Sequence, residues 1–180
     1  MLRGEKVLLR ALAHSDLPSF VRWFNDQEVT QFLGANMWPM STESEERWFN
    51  RHIEENTLVL GIETIAAAGQ SGVHIGNIGL HNVSERNHNA ELGIVIGERE
   101  YWSQGYGTDA IKTMLRYCFD ELNYHRVYLR VYDFNARGMR CYEKCGFRLE
   151  GRLRQHMYRH GAWHDEIVMG VLRDEFAALT

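Results

Sequence analysis

Hydrophobic and polar residues repeat with two different periods along this chain, and these periods predict strands and helices. Residues 126–132 (RVYLRVY) alternate with a period of two, which predicts a strand with Val127, Leu129 and Val131 facing inward. Residues 105–122 carry apolar side chains at helical spacing, which predicts an amphipathic helix. Shorter alternating or β-rich stretches predict further strands at 6–12, 57–66, 72–80, 89–97, 147–159 and 163–172.

Three further helices are predicted from capping residues and apolar stripes. Residues 15–16 (SD) offer N-cap oxygens for a helix that runs to about residue 25. Thr42, with Glu45 three residues later, has the spacing of a capping box at the start of a helix that runs to about residue 55. Asn135 opens a short helix that Gly146 ends.

The resulting order of elements is β-α-α-β-β-β-α-β-α-β-β. Only one strand–helix–strand crossover is strong, from 89–97 through 105–122 to 126–132. A doubly wound parallel sheet needs several such crossovers, so the pattern favours an α+β fold with a mixed sheet.

Composition narrows the class of protein. The chain has 180 residues, and its 20 basic and 24 acidic side chains give a formal net charge of −4. This length suits one domain over 1–180, and the 44% of hydrophobic residues can fill its core. The mild acidity argues against a nucleic-acid-binding protein, although a few backbone amides could still hold a small anion. Three cysteines, a charged N-terminus and the lack of a long apolar run predict a cytoplasmic protein without a membrane segment.

The most informative motif is the segment 102–108 (WSQGYGT), which follows a predicted strand and opens the long helix. Gly105 and Gly107 allow a tight bend and a close approach of the backbone to a ligand. The first N–H groups of a helix lack internal partners, and the helix dipole adds positive potential there. The segment therefore predicts a site for phosphate or pyrophosphate.

Glycine patterns of this kind have several interpretations. A Walker A loop is excluded, because no Lys-Ser/Thr pair follows the glycines. A Rossmann fingerprint stays open, since Gly105, Gly107 and Ala110 fit its spacing and Asp133 ends the next strand. Against it, three β-rich segments precede the motif without intervening helices. A glycine-rich helix start that binds nothing is a further alternative.

Three segments together, NAELGIVIG, WSQGYGTDA and NARGMRCYEKCGF, resemble the GNAT acyl-CoA N-acetyltransferases. The resemblance covers nearly the whole chain and is strongest to the branch with ribosomal-protein N-terminal (alanine) acetyltransferases and spermidine/spermine N-acetyltransferases. It implies the GNAT fold, with a mixed sheet of about seven strands, a splayed central pair and about four helices. It also implies acetyl-CoA as co-substrate and a homodimer. The family turn usually begins with Gln or Arg, whereas this chain has Trp102.

The resemblance assigns cofactor-binding residues. By carry-over, the backbone of Val95 and Ile96 holds the pantetheine arm, and Asn135 contacts the cofactor. The alternatives are that Val95 and Ile96 belong only to the sheet core and that Asn135 is only an N-cap. The amides that would take the pyrophosphate belong to Ser103, Gln104, Gly105, Tyr106, Gly107 and Thr108.

Two residues are candidates for catalysis. Tyr142 matches the family's general acid, and a phenol with a pKa of about 10 can protonate a thiolate whose thiol has a pKa of about 8.5. The alternative is a core aromatic residue that shares a helix face with Met139 and Cys145. Glu91 is the candidate base, acting through water, and the alternative is a solvated or salt-bridged strand glutamate.

The amine acceptor is predicted from the segment 32–40 (FLGANMWPM), which commonly lines the acceptor site in the family. Met37 and Trp38 could form a wall there or could simply belong to the core, and the segment has no acidic residue. This favours a protein N-terminus or another small amine over a polyamine or an aminoglycoside. The competing hypotheses are a non-catalytic CoA-binding regulatory module and a nicotinamide-cofactor protein. His156, His160 and His164 span a predicted hairpin turn, so a metal site is not expected.

Overall fold

The computed structural model describes residues 1–34, 38–55, 57–66 and 71–179. The chain forms two compact units, one of residues 1–79 and 94–110 and the other of residues 80–93 and 111–180. Within the described ranges there are eight strands and six helices, and none of these helices is long and apolar enough to cross a membrane.

The first unit combines antiparallel strands with three helices. Strand β2 pairs antiparallel with β1 on one side and with β3 on the other, and β3 pairs antiparallel with β4. A single 3-10 turn at His14–Asp16 leads into the first helix. The elements are β1 (Leu2–Arg3), β2 (Val7–Ala11), α1 (Leu17–Phe24), α2 (Gln27–Thr30), α3 (Thr42–Glu54), β3 (Val59–Thr64) and the start of β4 (His74–Ser84).

Helix packing in the first unit follows from the apolar stripe of α1. Phe20 and Trp23 are almost completely buried, and they join Leu17, Val29 and Phe49 in one cluster. Burying an aromatic side chain of this size removes a large apolar area from water, which is the main stabilising contribution in such a cluster.

The second unit contains a mixed sheet. Strand β5 pairs parallel with β6, which pairs antiparallel with β8, and β8 pairs antiparallel with β7. The helical residues Ile111, Met114 and Leu115 are completely buried, as the spacing predicted. The elements are β5 (Asn89–Ile96), α4 (Tyr106–Arg116), a π-helical segment (Tyr117–Glu121), β6 (Arg126–Tyr132), α5 (Ala136–Lys144), β7 (Arg148–Arg159), β8 (Ala162–Leu172) and α6 (Arg173–Ala177), with β5 and α4 contributing residues to both units.

The central parallel pair is splayed, as the family resemblance implied. The register of β5 with β6 covers Asn89–Glu91 against Arg126–Tyr128 only. The α+β class and the mixed sheet are therefore confirmed.

Three short elements escaped the sequence prediction. Strand β1 has two residues, α2 has four and α6 has five, and segments this short carry no readable period. The predicted helix over 105–122 is correct in extent, but its last part is a π-helix. The strands predicted at 57–66 and 72–80 correspond to β3 and β4, which pair antiparallel, and part of the turn between them lies outside the described residues.

Two predicted caps are wrong. Helix α3 is capped by Ser41, whose side-chain oxygen accepts a hydrogen bond from the Ser44 N–H at 3.2 Å. Glu45 takes no part in a capping box, because its side chain points into the core and is only 2% exposed. Asp16 makes no cap bond to α1; its carboxylate accepts from the Ala13 N–H at 2.8 Å and pairs with Arg10 at 2.8 Å.

Candidate active site

The glycine-rich segment forms a tight turn in the first unit, directly before α4. Gly105 has a φ of +88° and Ser103 a φ of +60°, which bend the backbone through the left-handed region. The first helical hydrogen bond runs from the Asp109 N–H to the Gly105 carbonyl at 3.0 Å. The N–H groups of residues 103–107 donate to no acceptor in the described part of the chain. These orphan donors, at the positive end of a helix dipole, fit a pyrophosphate.

Two residues that sequence reasoning did not single out hold this turn in place. Lys6 Nζ donates to the Gln104 carbonyl at 2.9 Å and lies over the Tyr106 ring, 5.4 Å from its centroid. The Asp109 carboxylate accepts from the N–H groups of residues 5–7 at 2.7–3.1 Å. Lys6 therefore adds a positive charge at the turn. No motif could reveal it, because the contact joins positions about a hundred residues apart.

The backbone at the end of β5 takes part in two hydrogen bonds. Trp102 Nε1 donates to the Ile96 carbonyl at 2.7 Å, while the Gly97 N–H donates to the Ile75 carbonyl at 2.8 Å. Val95 is half-buried and packs against the cluster around Phe20 and Trp23. Trp102, the residue that departs from the family turn, thus ties the strand end to the turn through its indole N–H.

Tyr142 lies on α5 in the second unit and is half-buried, so it is not a fully enclosed core residue. Its ring contacts Phe147 edge-on, with centroids 6.1 Å apart. Its hydroxyl makes no hydrogen bond to any described residue. Desolvation, followed by the nearby Cys141 and Cys145 thiols, raises the pKa of Tyr142, so the phenol keeps its proton at neutral pH.

Asn135 is the N-cap of α5. Its side-chain oxygen accepts from the Gly138 N–H at 2.9 Å, and it is 9% exposed. A Cβ at position 138 would lie 2.7 Å from the Asn135 amide nitrogen, so glycine at 138 makes room for this cap. The prediction that Asn135 caps α5 is confirmed, and its contact with the cofactor stays a prediction.

Glu91 is surrounded by polar partners in the second unit. Asn82 Nδ2 donates to Glu91 Oε2 at 2.7 Å, and Arg130 Nε lies 3.5 Å from Glu91 Oε1. Arg130 also pairs with Glu166 at 3.4 Å. Burial and then the Glu91 charge raise the pKa of the neighbouring Tyr128. The salt-bridged interpretation of Glu91 is therefore confirmed. The ion pair does not exclude the second role predicted for Glu91, that of the base.

The structure groups the predicted site residues by unit. The first unit contains Val95, Ile96, the turn 103–108 and Trp38, while the second contains Glu91, Asn135 and Tyr142. Trp38 is 80% exposed, which excludes it from the core. Met37 lies outside the described residues. Among the described residues, no group of three or more His, Cys, Asp and Glu side chains is arranged to hold a metal ion.

Comparisons with known proteins identify the family of this chain. Residues 6–148 match the family model of the acetyltransferase (GNAT) domain. The chain is 33% identical to the putative ribosomal N-acetyltransferase YdaF of Bacillus subtilis, over 96% of this chain and 94% of that protein. It is 28% identical to the spermidine N(1)-acetyltransferase of Vibrio cholerae, over 96% of each chain.

Solved structures show the same fold. The spermidine N-acetyltransferase from Vibrio cholerae in complex with CoA and spermine superposes with a TM-score of 0.83 at 27% identity, covering 95% of this chain and 98% of that one. A turn with orphan amides and a nearby lysine fits the diphosphate of that cofactor. The chain belongs to the GNAT acetyltransferase family and is an N-acetyltransferase whose co-substrate is acetyl-CoA.

Proposed function

We propose that this enzyme acetylates a primary amine, at a protein N-terminus or on a small molecule, by direct attack in a ternary complex. The amine nitrogen attacks the thioester carbonyl carbon, the carbon–sulfur bond breaks, and the departing thiolate takes a proton from Tyr142. The proton lost by the amine passes through water to Glu91. No covalent acyl-enzyme is formed, so neither Cys141 nor Cys145 acts as a nucleophile.

The observation that carries this proposal is the state of the Tyr142 hydroxyl. It has a raised pKa and no hydrogen-bond partner among the described residues, so its proton is available to a leaving group. A tyrosine used only for packing would normally satisfy its hydroxyl or expose it fully. A protonated phenol suits a thiolate leaving group, whose own thiol is more acidic.

We further propose how the chain holds the co-substrate. The amides of residues 103–108, with Lys6, take the pyrophosphate. Because strand N–H groups alternate in direction, the Ile96 N–H points to the strand edge opposite the one that the Gly97 N–H faces. Ile96 then offers the pantetheine its N–H, since its carbonyl already accepts the Trp102 indole. Val95 acts through its backbone, and Asn135 contacts the cofactor while it caps α5.

The choice of acceptor rests on amine chemistry. A peptide α-amine with a pKa of about 7.7–8.0 is neutral in roughly a tenth to a sixth of molecules at pH 7, whereas a lysine-like amine is neutral in well under ~1%. A polyamine therefore needs a stronger base and acidic residues to hold its charge, and the segment 32–40 has no acid. A polyamine is the second candidate, because the Vibrio cholerae relative is named for spermidine.

An acceptor screen tests the proposal. Release of CoA from acetyl-CoA is measured with a thiol reagent over N-terminal peptides, amino acids, spermidine and aminoglycosides. We expect the highest kcat/KM with a peptide or another single amine. Preferred turnover of spermidine would select the second candidate, and no turnover on any amine would support a non-catalytic CoA-binding module instead.

The base assignment has its own test. In Glu91→Gln, kcat/KM at pH 7 should fall, and the loss should shrink as the pH rises and the amine deprotonates unaided. Asn82→Ala is the matched control, because it removes a hydrogen bond to Glu91 but keeps the carboxylate. Equal losses at every pH in both variants would assign Glu91 a structural role only.

We also propose one acetyltransferase domain over residues 1–180 and a location in the cytoplasm. The odd number of cysteines, three, supports a reducing compartment. The homodimer stays a prediction, and light scattering on the purified chain measures it directly.

A further inference from the structure

The second unit has a cleft that shares no residue with the proposed acetyl-transfer machinery. Its volume is about 430 Å³. Two arginines, two histidines and two asparagines line it, with no acidic side chain among them: Arg86, Asn87, His88, Asn123, His125 and Arg173. On a chain with a net charge of −4, such a lining is a local concentration of positive charge and hydrogen-bond donors.

Backbone hydrogen bonds hold the rim of this cleft together. The His125 N–H donates to the His88 carbonyl at 2.7 Å, and the Arg173 N–H donates to the His125 carbonyl at 3.0 Å. His88 directly precedes β5, His125 directly precedes β6, and Arg173 directly follows β8. These bonds fix the backbone at three positions of the lining, which reduces the ordering that a ligand must cause.

The Arg173 guanidinium is oriented but not neutralised. Its Nε and Nη2 donate to the Tyr124 carbonyl at 3.0 and 2.7 Å, and Nη2 also donates to Asn123 Oδ1 at 2.9 Å. A guanidinium carries five N–H groups, so the two on Nη1 stay unused by the described residues. Arg86 is exposed and forms no ion pair within the same residues. Two cationic side chains therefore face solvent without a carboxylate partner.

We propose that this cleft binds the phosphate group of a small phosphomonoester. The two unused N–H groups on Arg173 Nη1, the Arg86 guanidinium and the imidazole and amide side chains of the lining can donate to several oxygens of one tetrahedral dianion. The volume exceeds that of phosphate alone and is in the range of small-molecule sites, which leaves room for an organic group. The glycine turn follows β5 in the chain and belongs to the first unit, whereas all six lining residues of the cleft belong to the second unit.

Nuclear magnetic resonance titration tests the proposal on the full chain saturated with CoA. Inorganic phosphate and glycerol phosphate are added at constant ionic strength, with sodium chloride as the reference. We expect saturable shifts of the His88 and His125 amides and of the Arg173 Nε–H, with glycerol phosphate binding more tightly than inorganic phosphate. Linear shifts equal to those with chloride would overturn the site.

Two variants locate the binding. Arg86→Gln should weaken phosphate binding by about fivefold to tenfold while CoA release stays unchanged, since the side chain makes no bond that the fold needs. Arg154→Gln, which removes the same charge from exposed β7, should leave phosphate affinity unchanged. Equal weakening in both variants would reduce the effect to general electrostatics and overturn the site. Binding of a single-stranded RNA oligonucleotide far more tightly than glycerol phosphate would overturn the small-molecule assignment.

Discussion

The proposed chemistry depends on one phenol, Tyr142, which must keep its proton until it donates that proton to the thiolate. A general acid must hold its proton at the working pH and have it free to donate, and Tyr142 meets both conditions. Its raised pKa moves any loss of the acid form to pH values above about 10, the ordinary pKa of tyrosine. Activity lost below that pH therefore belongs to other groups.

Tyr142→Phe removes the proton and keeps the ring. Because general acid catalysis contributes about 10²–10⁴-fold, kcat should fall at least about 100-fold while the dissociation constant of CoA changes little. Steady-state CoA release and calorimetric CoA binding measure the two quantities. Tyr158→Phe, an exposed tyrosine on β7, is the control and should retain full activity. An unchanged kcat in Tyr142→Phe would refute the acid role.

Glu45 is a buried carboxyl, and the cost of burying its charged form should be measurable in the free energy of unfolding. Its Oε2 has no hydrogen-bond partner among the described residues, and desolvation raises the pKa of Glu45. The folded state therefore favours the protonated form. Its contribution to stability falls as the pH rises above the unfolded-state pKa of about 4.3 and is fully lost above the raised folded pKa.

Glu45→Gln removes this pH-dependent penalty. The free energy of unfolding should rise by about 1 kcal/mol at pH 7.5 relative to the unchanged chain, and the gain should shrink towards pH 4. Urea denaturation at the two pH values measures it. Glu54→Gln alters an exposed glutamate at the end of the same helix, which forms no ion pair among the described residues, and it should show no such trend. A gain independent of pH would contradict the assignment to the Glu45 carboxyl.

Residues with a local signal were predictable, and those defined by through-space contacts were not. Asn135 as a cap followed from its position before a helix, and the glycines of the turn followed from their spacing. Lys6 and Asp109 could not be found this way, because their partners are distant in sequence. The capping-box prediction for Glu45 failed for the same reason, since its burial comes only from tertiary packing.

At the scale of elements, the turn before α4 combines a left-handed backbone conformation with backbone N–H groups that have no acceptor among the described residues. Gly105 needs its left-handed φ of +88°, while space is not limiting there, because a Cβ would meet only the end of the Lys6 side chain, with Nζ at 3.8 Å. An alanine in this conformation costs about 1–2 kcal/mol. The turn can avoid that cost only by changing the geometry of its amides.

Gly105→Ala should therefore weaken CoA binding by roughly 5- to 30-fold, the equivalent of about 1–2 kcal/mol. Gly161→Ala is a matched control, because Gly161 has a φ of +80° in the β7–β8 turn and a Cβ added there would meet nothing within 4 Å. Gly161→Ala should lose stability in denaturation and keep its CoA affinity, whereas Gly105→Ala should lose CoA affinity. Equal CoA affinity in the two variants would mean that the turn does not bind CoA.

At the scale of the whole molecule, the order of the main elements was readable because each long element has its own period. The mixed sheet and its splayed pair followed from a single parallel crossover and from the family resemblance. The division into two compact units was not readable, since its boundaries cut through β4, β5 and α4 rather than through a linker. Composition shifts mark linkers, and they give no signal inside a strand or a helix.

Ligand-dependent melting of the intact chain decides between acetyl-CoA and a nicotinamide cofactor at the glycine turn. A ligand at 100 times its dissociation constant stabilises the native state by about 2.7 kcal/mol, which for a chain of this length raises Tm by roughly 5–10 °C. Acetyl-CoA should give this shift and NAD should give none, because the fold lacks the repeated βαβ units of a dinucleotide-binding domain. The shift with acetyl-CoA should be smaller in Gly105→Ala and unchanged in Gly161→Ala. Stabilisation by NAD alone would mean that the orphan amides of residues 103–107 serve a different diphosphate.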